Sequence, residues 1–285
     1  MGLDVHSAVL ADNYIQQWNI WHDQRIEELT SPHGYLAPTS ITWVADGESK
    51  TIEGIPGRWS SNEDVLRYEP DLLASPAVTN AGNIIREAIT FKPENFGEQA
   101  LAYLHFGDIR IEVNSQTDLI HHDAHRFWIR IKDPASPSRR DFRGIGQFPL
   151  DRKWHIKASF SRSHSGDLDI HDSVVKTVLQ SYPVLGYVEF SYGGQHYSLV
   201  VSNVFGHASI FFSDETSGKE SYAIGRVLQL DALSLDDLQA IDFNYTINYP
   251  CAFSIFCTCP IPSKRNHLPF AVTAGEQTPA DEAQY

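Results

Sequence analysis

The sequence predicts a mainly β fold, an antiparallel barrel or sandwich with an N-terminal helix. Three observations lead there. Aromatic residues make up 12% of the chain, with 6 Trp, 12 Tyr and 15 Phe, which suits pleated, half-buried surfaces. Short segments of alternating apolar and polar residues recur from residue 41 onward. Turn-forming pairs such as Asp46-Gly47 and Gly193-Gly194 separate several of them. At 285 residues and 42% hydrophobic content, one large core suffices. We therefore expect a single domain over residues 1–277 and a disordered tail over 278–285.

Residues 7–29 read as an amphipathic helix, because Val9, Leu10, Ile15, Trp18, Trp21, Ile26 and Leu29 return at three- and four-residue intervals. Thr30-Ser31-Pro32-His33-Gly34 should stop it. Strands are expected at 41–44, 109–113, 127–131, 154–160, 174–179, 187–192, 197–201, 209–212, 222–228 and 240–246. Residues 134–141 and 161–169 read as polar surface loops.

Charge narrows the function classes. A net charge of -14 has the wrong sign for a nucleic-acid or membrane-surface partner. Arg139, Arg140 and Arg143 form a local basic cluster beside prolines, best read as a solvated turn. No apolar run reaches the length of a membrane span, and Met1–Leu10 lacks the pattern of a secretory leader. These features point to a cytoplasmic protein whose partner is a small-molecule ligand or substrate, with self-association left open. Phosphate loops, dinucleotide fingerprints, zinc-protease helices and serine-hydrolase elbows are absent from the sequence. No cofactor is expected, and no metal. His121-His122-Asp123-Ala124-His125 reads as a polar turn, since its outer histidines would share a face only on a helix. Cys251, Cys257 and Cys259 lack the paired knuckles of a zinc site and read as packed thiols.

The C-terminal third carries the chemistry. Alternation along 222–228 places Tyr222, Ile224, Arg226 and Leu228 on one face, so Arg226 shares its side with apolar groups. Such a guanidinium must pair with a carboxylate, snorkel out or bind an anion. On 240–246, Asp242, Asn244 and Thr246 form a wholly polar face that meets solvent or lines a wet cavity. Were the two strands neighbours, Asp242 or Asn244 would sit opposite Arg226. That arrangement is either a structural ion pair or a pocket in which Arg226 holds an anion and Asp242 acts as acid or base.

The same region resembles family 1684 of the domains of unknown function. The likeness rests on Phe212-Ser-Asp214-Glu-Thr216-Ser-Gly218 followed by Ser221-Tyr222 through Arg226-Val-Leu228, on Asp242-Phe243-Asn244, and on Asn248-Tyr-Pro250-Cys251-Ala252. Thr258-Cys259-Pro260, Asn266-His-Leu268 and Ala274-Gly275-Glu276 extend it. Weaker matches reach back to Trp21 and Arg25. The resemblance implies no reaction, but it marks Asp214, Tyr222, Arg226, Asp242, Asn244, Cys251, Cys259, Asn266 and Glu276 as positions the family pattern specifies. Thr246-Ile247, Tyr249 and Cys257 depart from it.

Two functions suit these residues. One is a cofactor-independent acid/base enzyme for a small organic molecule, of hydrolase, isomerase, dehydratase or cyclase type. It would use Arg226, Asp242, Tyr222 and Glu276 as catalytic groups and Asn244, Asp214, Trp43 and Asn266 as substrate contacts. The alternative is a non-catalytic barrel binding a small apolar or anionic ligand against its aromatics. A flavin-bound barrel is a third class, supported by analogy of fold alone.

Overall fold

Gly193 and Gly194 both adopt positive φ (59° and 78°), the primed turn whose twist matches its flanking strands. They close a hairpin of two long strands, Leu179–Tyr192 and Gln195–Val204, with Tyr192 opposite Gln195. This hairpin is the spine of the larger sheet. The computed structural model describes residues 3–93, 100–117, 125–164, 166–176 and 178–280, with residues 3–12, 116–117 and 125–126 described by backbone alone.

The larger sheet runs Ala240–Asp242, His155–Arg162, Leu179–Tyr192, Gln195–Val204, His207–Asp214, Arg226–Leu230, Ile247–Asn248, each neighbour antiparallel to the next. Leu168–Asp172 pairs with the spine, and His267–Leu268 adds a short parallel pairing to His207–Asp214. The sheet curls into a half-barrel. Its inner face buries Trp154, Val188, Phe190, Leu199, Val201, Ile210, Phe212, Leu228, Ile241 and Phe243.

Residues 38–132 build two further sheets. One, of six strands, runs Pro38–Val44, His125–Lys132, Ile109–Thr117, Ala102–Phe106, Thr79–Asn80, Asn83–Ile84. The other is the meander Ser49–Ile52, Ile55–Asn62, Val65–Glu69, joined by Ile89–Phe91. Between them lie Trp59, Leu66, Tyr68, Leu104, Ile111, Val113, Phe127 and Ile129. Alternation over 109–113 and 127–131 sends Ile111, Val113, Phe127 and Ile129 inward and puts Arg110, Glu112, Trp128 and Arg130 on the other face.

The helix spans Leu3–Thr30 and ends at the anticipated breaker. Its buried end is Arg25 and Leu29, whereas Ile15 and Ile20 are exposed. A third apolar cluster ties Leu29 and Leu36 to Tyr182, Phe211, Tyr222, Tyr249, Cys251 and Cys257.

Five elements differ from the sequence expectation, the first being a helical turn over Pro137–Arg140 inside the expected loop 134–141. Val174 and Val175 form bends and Lys176 a turn, and strand begins only at Leu179. The segment from Tyr222 is a turn until Arg226, because Gly225 sits at φ 120° with its backbone against the Phe212 carbonyl. The strand from Ala240 stops at Asp242, where a 3-10 turn over Phe243–Tyr245 takes over. Strand also enters the expected loop 161–169, at Arg162 and again at Leu168. In the tail, the Thr278 amide donates to the Glu220 carbonyl, and residues 281–285 lie outside the described residues.

Candidate functional site

Arg226 points inward, as its neighbours on the strand require, but its carboxylate partner is Asp214. Nη2 lies 2.9 Å from Asp214 Oδ2 and also donates to Thr216 Oγ1 and the Val272 carbonyl. Nη1 donates to the carbonyls of Ala274 and Glu276. The rings of Phe148 and Phe212 flank the guanidinium at 5.7 and 5.6 Å. Its side chain is 0% exposed. Burial pulls its pKa down and Asp214 opposes that pull. Five acceptors inside the protein leave its two terminal nitrogens little to offer a guest.

The anticipated Arg226–Asp242 pairing does not form. Arg226 stands opposite Asn248 and Phe212 in the sheet, while Asp242 stands opposite His155. The physical reason is the broken strand at Phe243. Asp242 caps the 3-10 turn, its Oδ1 accepting from the Asn244 amide N and Nδ2 at 3.0 and 2.8 Å. Its Oδ2 accepts from the Tyr14 hydroxyl at 2.8 Å and lies 3.4 Å from His155 Nδ1. Burial first, then Asp242, pushes the Tyr14 pKa up. Asn244 and Thr246, expected on a wet face, are both fully buried. Asn244 is clamped to the backbone of Asp151 through both ends of its amide.

The other expected residues hold the fold together. Glu276 is fully buried and accepts from Arg25 Nε at 3.0 Å and from the Asn248 amide at 2.6 Å. Arg25 thereby docks the helix, which also reaches the Asn248 carbonyl and, through Trp18, the Asn244 carbonyl. Asn266 staples two strands, bonding the Val200 N–H and C=O and the Phe211 carbonyl. Asp214 Oδ1 accepts from Thr216 and from the Val272 amide. The Tyr222 hydroxyl donates to the Cys251 carbonyl. Residues 121–124 and the side chain of His125 lie outside the described residues. Among the described residues, no group of three His, Cys, Asp or Glu is placed to hold a metal ion.

Trp43 leads to a different place. Pairing in the six-stranded sheet puts Trp43 beside Trp128 and Trp128 beside Asn114 on the face turned away from the core. The next row is Ile41, Arg130, Glu112 and Tyr103; the last is Lys132, Arg110 and His105. Three cations therefore surround one carboxylate. Glu112 lies 3.3 Å from Arg110 Nη2, 3.3 Å from Arg130 Nη1 and 2.9 Å from Lys132 Nζ. Among the described residues, three positive charges thus face one carboxylate partner, in a chain that is acidic overall. Arg110 is the most open of the four, at 26%. Burial first, then His33 and Arg110, lowers the His105 pKa. Lys132 is likewise pulled down by burial, against the pull of Glu112.

The bland account of this cluster is structural. Arg110 and Lys132 both donate to the His33 carbonyl, and Arg130 Nε donates to the Phe256 carbonyl at 2.8 Å. The cluster thus fastens the 33–35 and 256–257 segments to the sheet. Two buried donors are left over: among the described residues, Arg110 Nε and Trp128 Nε1 have no hydrogen-bond partner. Buried donors are normally satisfied, and buried cations normally balanced. Trp43 and Trp128, with ring centroids 5.0 Å apart, wall the same face, and Tyr103 lies under Arg110 at 5.1 Å. Arg110, Glu112, Arg130 and Lys132 escaped the sequence reading. The available signal was a charged residue at every second position of two adjacent strands.

Residues 140–277 match the model of a family described as "Protein of unknown function (DUF1684)". Among solved structures, the chain is similar to an uncharacterized protein of Haloarcula marismortui determined by solution NMR. The identity is 25%, covering 53% of this chain and 85% of that one, with a TM-score of 0.41. None of the curated proteins compared matches.

Proposed function

We propose from the chain's own geometry, beside the match of residues 140–277 to the DUF1684 family model, that it binds a small organic anion. The ligand class is a carboxylate or phosphate carrying an aromatic or apolar body. The acidic group would meet Arg110, Arg130 and Lys132, and the body would lie against Trp43 and Trp128. The observation that carries this reading is that, among the described residues, three cations meet the single carboxylate of Glu112 and Nε of Arg110 has no partner. An anion supplies a second negative charge and the missing acceptor. Binding is favoured over turnover. The acid/base residues expected from the sequence are spent on protein partners, Arg226 on five of them and Glu276 on two.

Isothermal titration calorimetry with phenylphosphate, phenylacetate and inorganic phosphate tests this. At least one organic anion should bind saturably, more weakly at high salt. Arg110→Gln should weaken it about tenfold or more, since a hydrogen bond to a charged group is worth ~1.5–3 kcal/mol. Saturable heat from none of the three, or equal affinity in the Arg110→Gln protein, overturns the assignment.

A further inference from the structure

Ser213, His267 and Glu215 meet on the larger sheet, a different sheet from the one that carries Glu112. The short parallel pairing sets Ser213 opposite His267 and Asp214 opposite Leu268. Ser213 Oγ lies 3.1 Å from His267 Nδ1, and His267 Nε2 lies 3.6 Å from Glu215 Oε1. A hydroxyl, an imidazole and a carboxylate thus follow one another in the order that activates a nucleophile.

The backbone under these groups is fixed. Ser213 sits between Phe212 and Asp214, Glu215 between Asp214 and Thr216, and His267 between Asn266 and Leu268; all of these neighbours are buried. Asn266 is tied to two strands, and Asp214 to Arg226 and the Val272 amide. The reactive side chains face outward by contrast. His267 is 44% exposed and Glu215 50%, and Ser213 is half-buried. Rigid support under reachable groups is what a catalytic constellation requires. The side-chain contact is not needed to join the two segments, since backbone pairing and buried Leu268 already do that.

The order of the groups places the proton. Glu215 favours the tautomer with N–H on Nε2, which leaves Nδ1 to accept from the Ser213 hydroxyl. The same carboxylate stabilises the imidazolium formed once Nδ1 takes that proton. Its other oxygen lies 3.7 Å from Lys219 Nζ, so Oε1 remains for the ring. Phe270, whose carbonyl accepts from the Glu215 amide, packs on Tyr192 and Tyr197 with centroids 4.5 and 5.1 Å apart. These half-buried rings offer an aromatic ledge beside the relay.

We propose that Ser213, His267 and Glu215 hydrolyse small aryl esters, at a site independent of the anion-binding one. Ser213 Oγ adds to the ester carbonyl carbon as its proton passes to His267 Nδ1. The bond to the aryl oxygen breaks, and the leaving phenolate takes the proton. Water then adds to the acyl-serine with the same proton transfers, releasing the acid and restoring the hydroxyl. Ester and water become acid and phenol. Ser213 and His267 are the catalytic residues; Glu215 is a positioning residue.

The full-length chain with p-nitrophenyl acetate, and separately with a fluorophosphonate probe followed by peptide mapping, tests this. The ester should be turned over, and the probe should label Ser213. Ser213→Ala should lose both the label and the turnover. His267→Gln should slow both by about 100-fold or more, the usual range for a lost general base. Glu215→Gln should lower kcat and leave KM unchanged, and Glu215→Asp, which keeps the charge, should recover part of the loss. No label, a label only on other residues, parental hydrolysis by Ser213→Ala or His267→Gln, or a parental kcat in Glu215→Gln would each overturn the proposal.

Discussion

Replacing Arg226 with glutamine separates a structural arginine from a catalytic one. The change leaves the Asp214 carboxylate buried beside an uncharged amide, and removing one member of a buried ion pair costs about 3–5 kcal/mol. The carbonyls of Val272, Ala274 and Glu276 lose donors as well, at about 1 kcal/mol for each bond not replaced. Glutamine can recover one of them, so the total loss is roughly 5–7 kcal/mol. That is a large part of the ~5–15 kcal/mol that holds a domain folded. At ~2–4 °C per kcal/mol for a chain of this size class, the melting temperature should fall by about 10–28 °C. Arg226→Lys keeps the charge opposite Asp214 but cannot span the carbonyls, and should fall between parent and Arg226→Gln. Far-UV circular dichroism melts and urea titrations of the three proteins provide the assay. An Arg226→Gln protein melting within about 2 °C of the parent would refute this account of the guanidinium, because the interactions named could not then be holding the fold.

Two further predictions follow from the packing around Gly225 and the buried tyrosines. A Cβ at Gly225 would lie 2.4 Å from the Phe212 carbonyl oxygen at φ 120°. Gly225→Ala should therefore cost more than about 2 kcal/mol in urea unfolding, and Gly206→Ala, where no atom lies within 4 Å, should cost less; equal midpoints would contradict this. Burial raises the hydroxyls of Tyr182 and Tyr249 and pushes that of Tyr68 up to about 12. Because the folded values exceed the unfolded value near ~10, the stability they contribute is complete below pH ~10 and is lost as pH rises towards ~12. Phenolate absorbance should rise together with unfolding, and a titration complete near pH ~10 with the fold and its urea midpoint unchanged would count against it.

The sequence by itself determined what depends on neighbours along the chain. The Gly193-Gly194 hairpin, the helix stop after Thr30 and the alternation of Ile109–Val113 and Phe127–Ile131 are local consequences of turn chemistry and period. The meander over Ser49–Glu69 was less legible. Pro56 and Gly57 interrupt it, and residues 60–64 are almost wholly polar. What only the tertiary structure decided is which distant groups meet. Arg226 was readable as an inward cation, but its ties to residues 272–276 depend on how the last segment wraps back over the sheet. The strand carrying Asp242 breaks one residue beyond it, which sends that carboxylate to Tyr14, 228 positions away. The cations around Glu112 gather because sheet pairing aligns charges from two strands onto one face. Periodicity records which side a residue takes; its partner is set by register and by chain return, which involve residues too far apart in sequence to leave a local pattern.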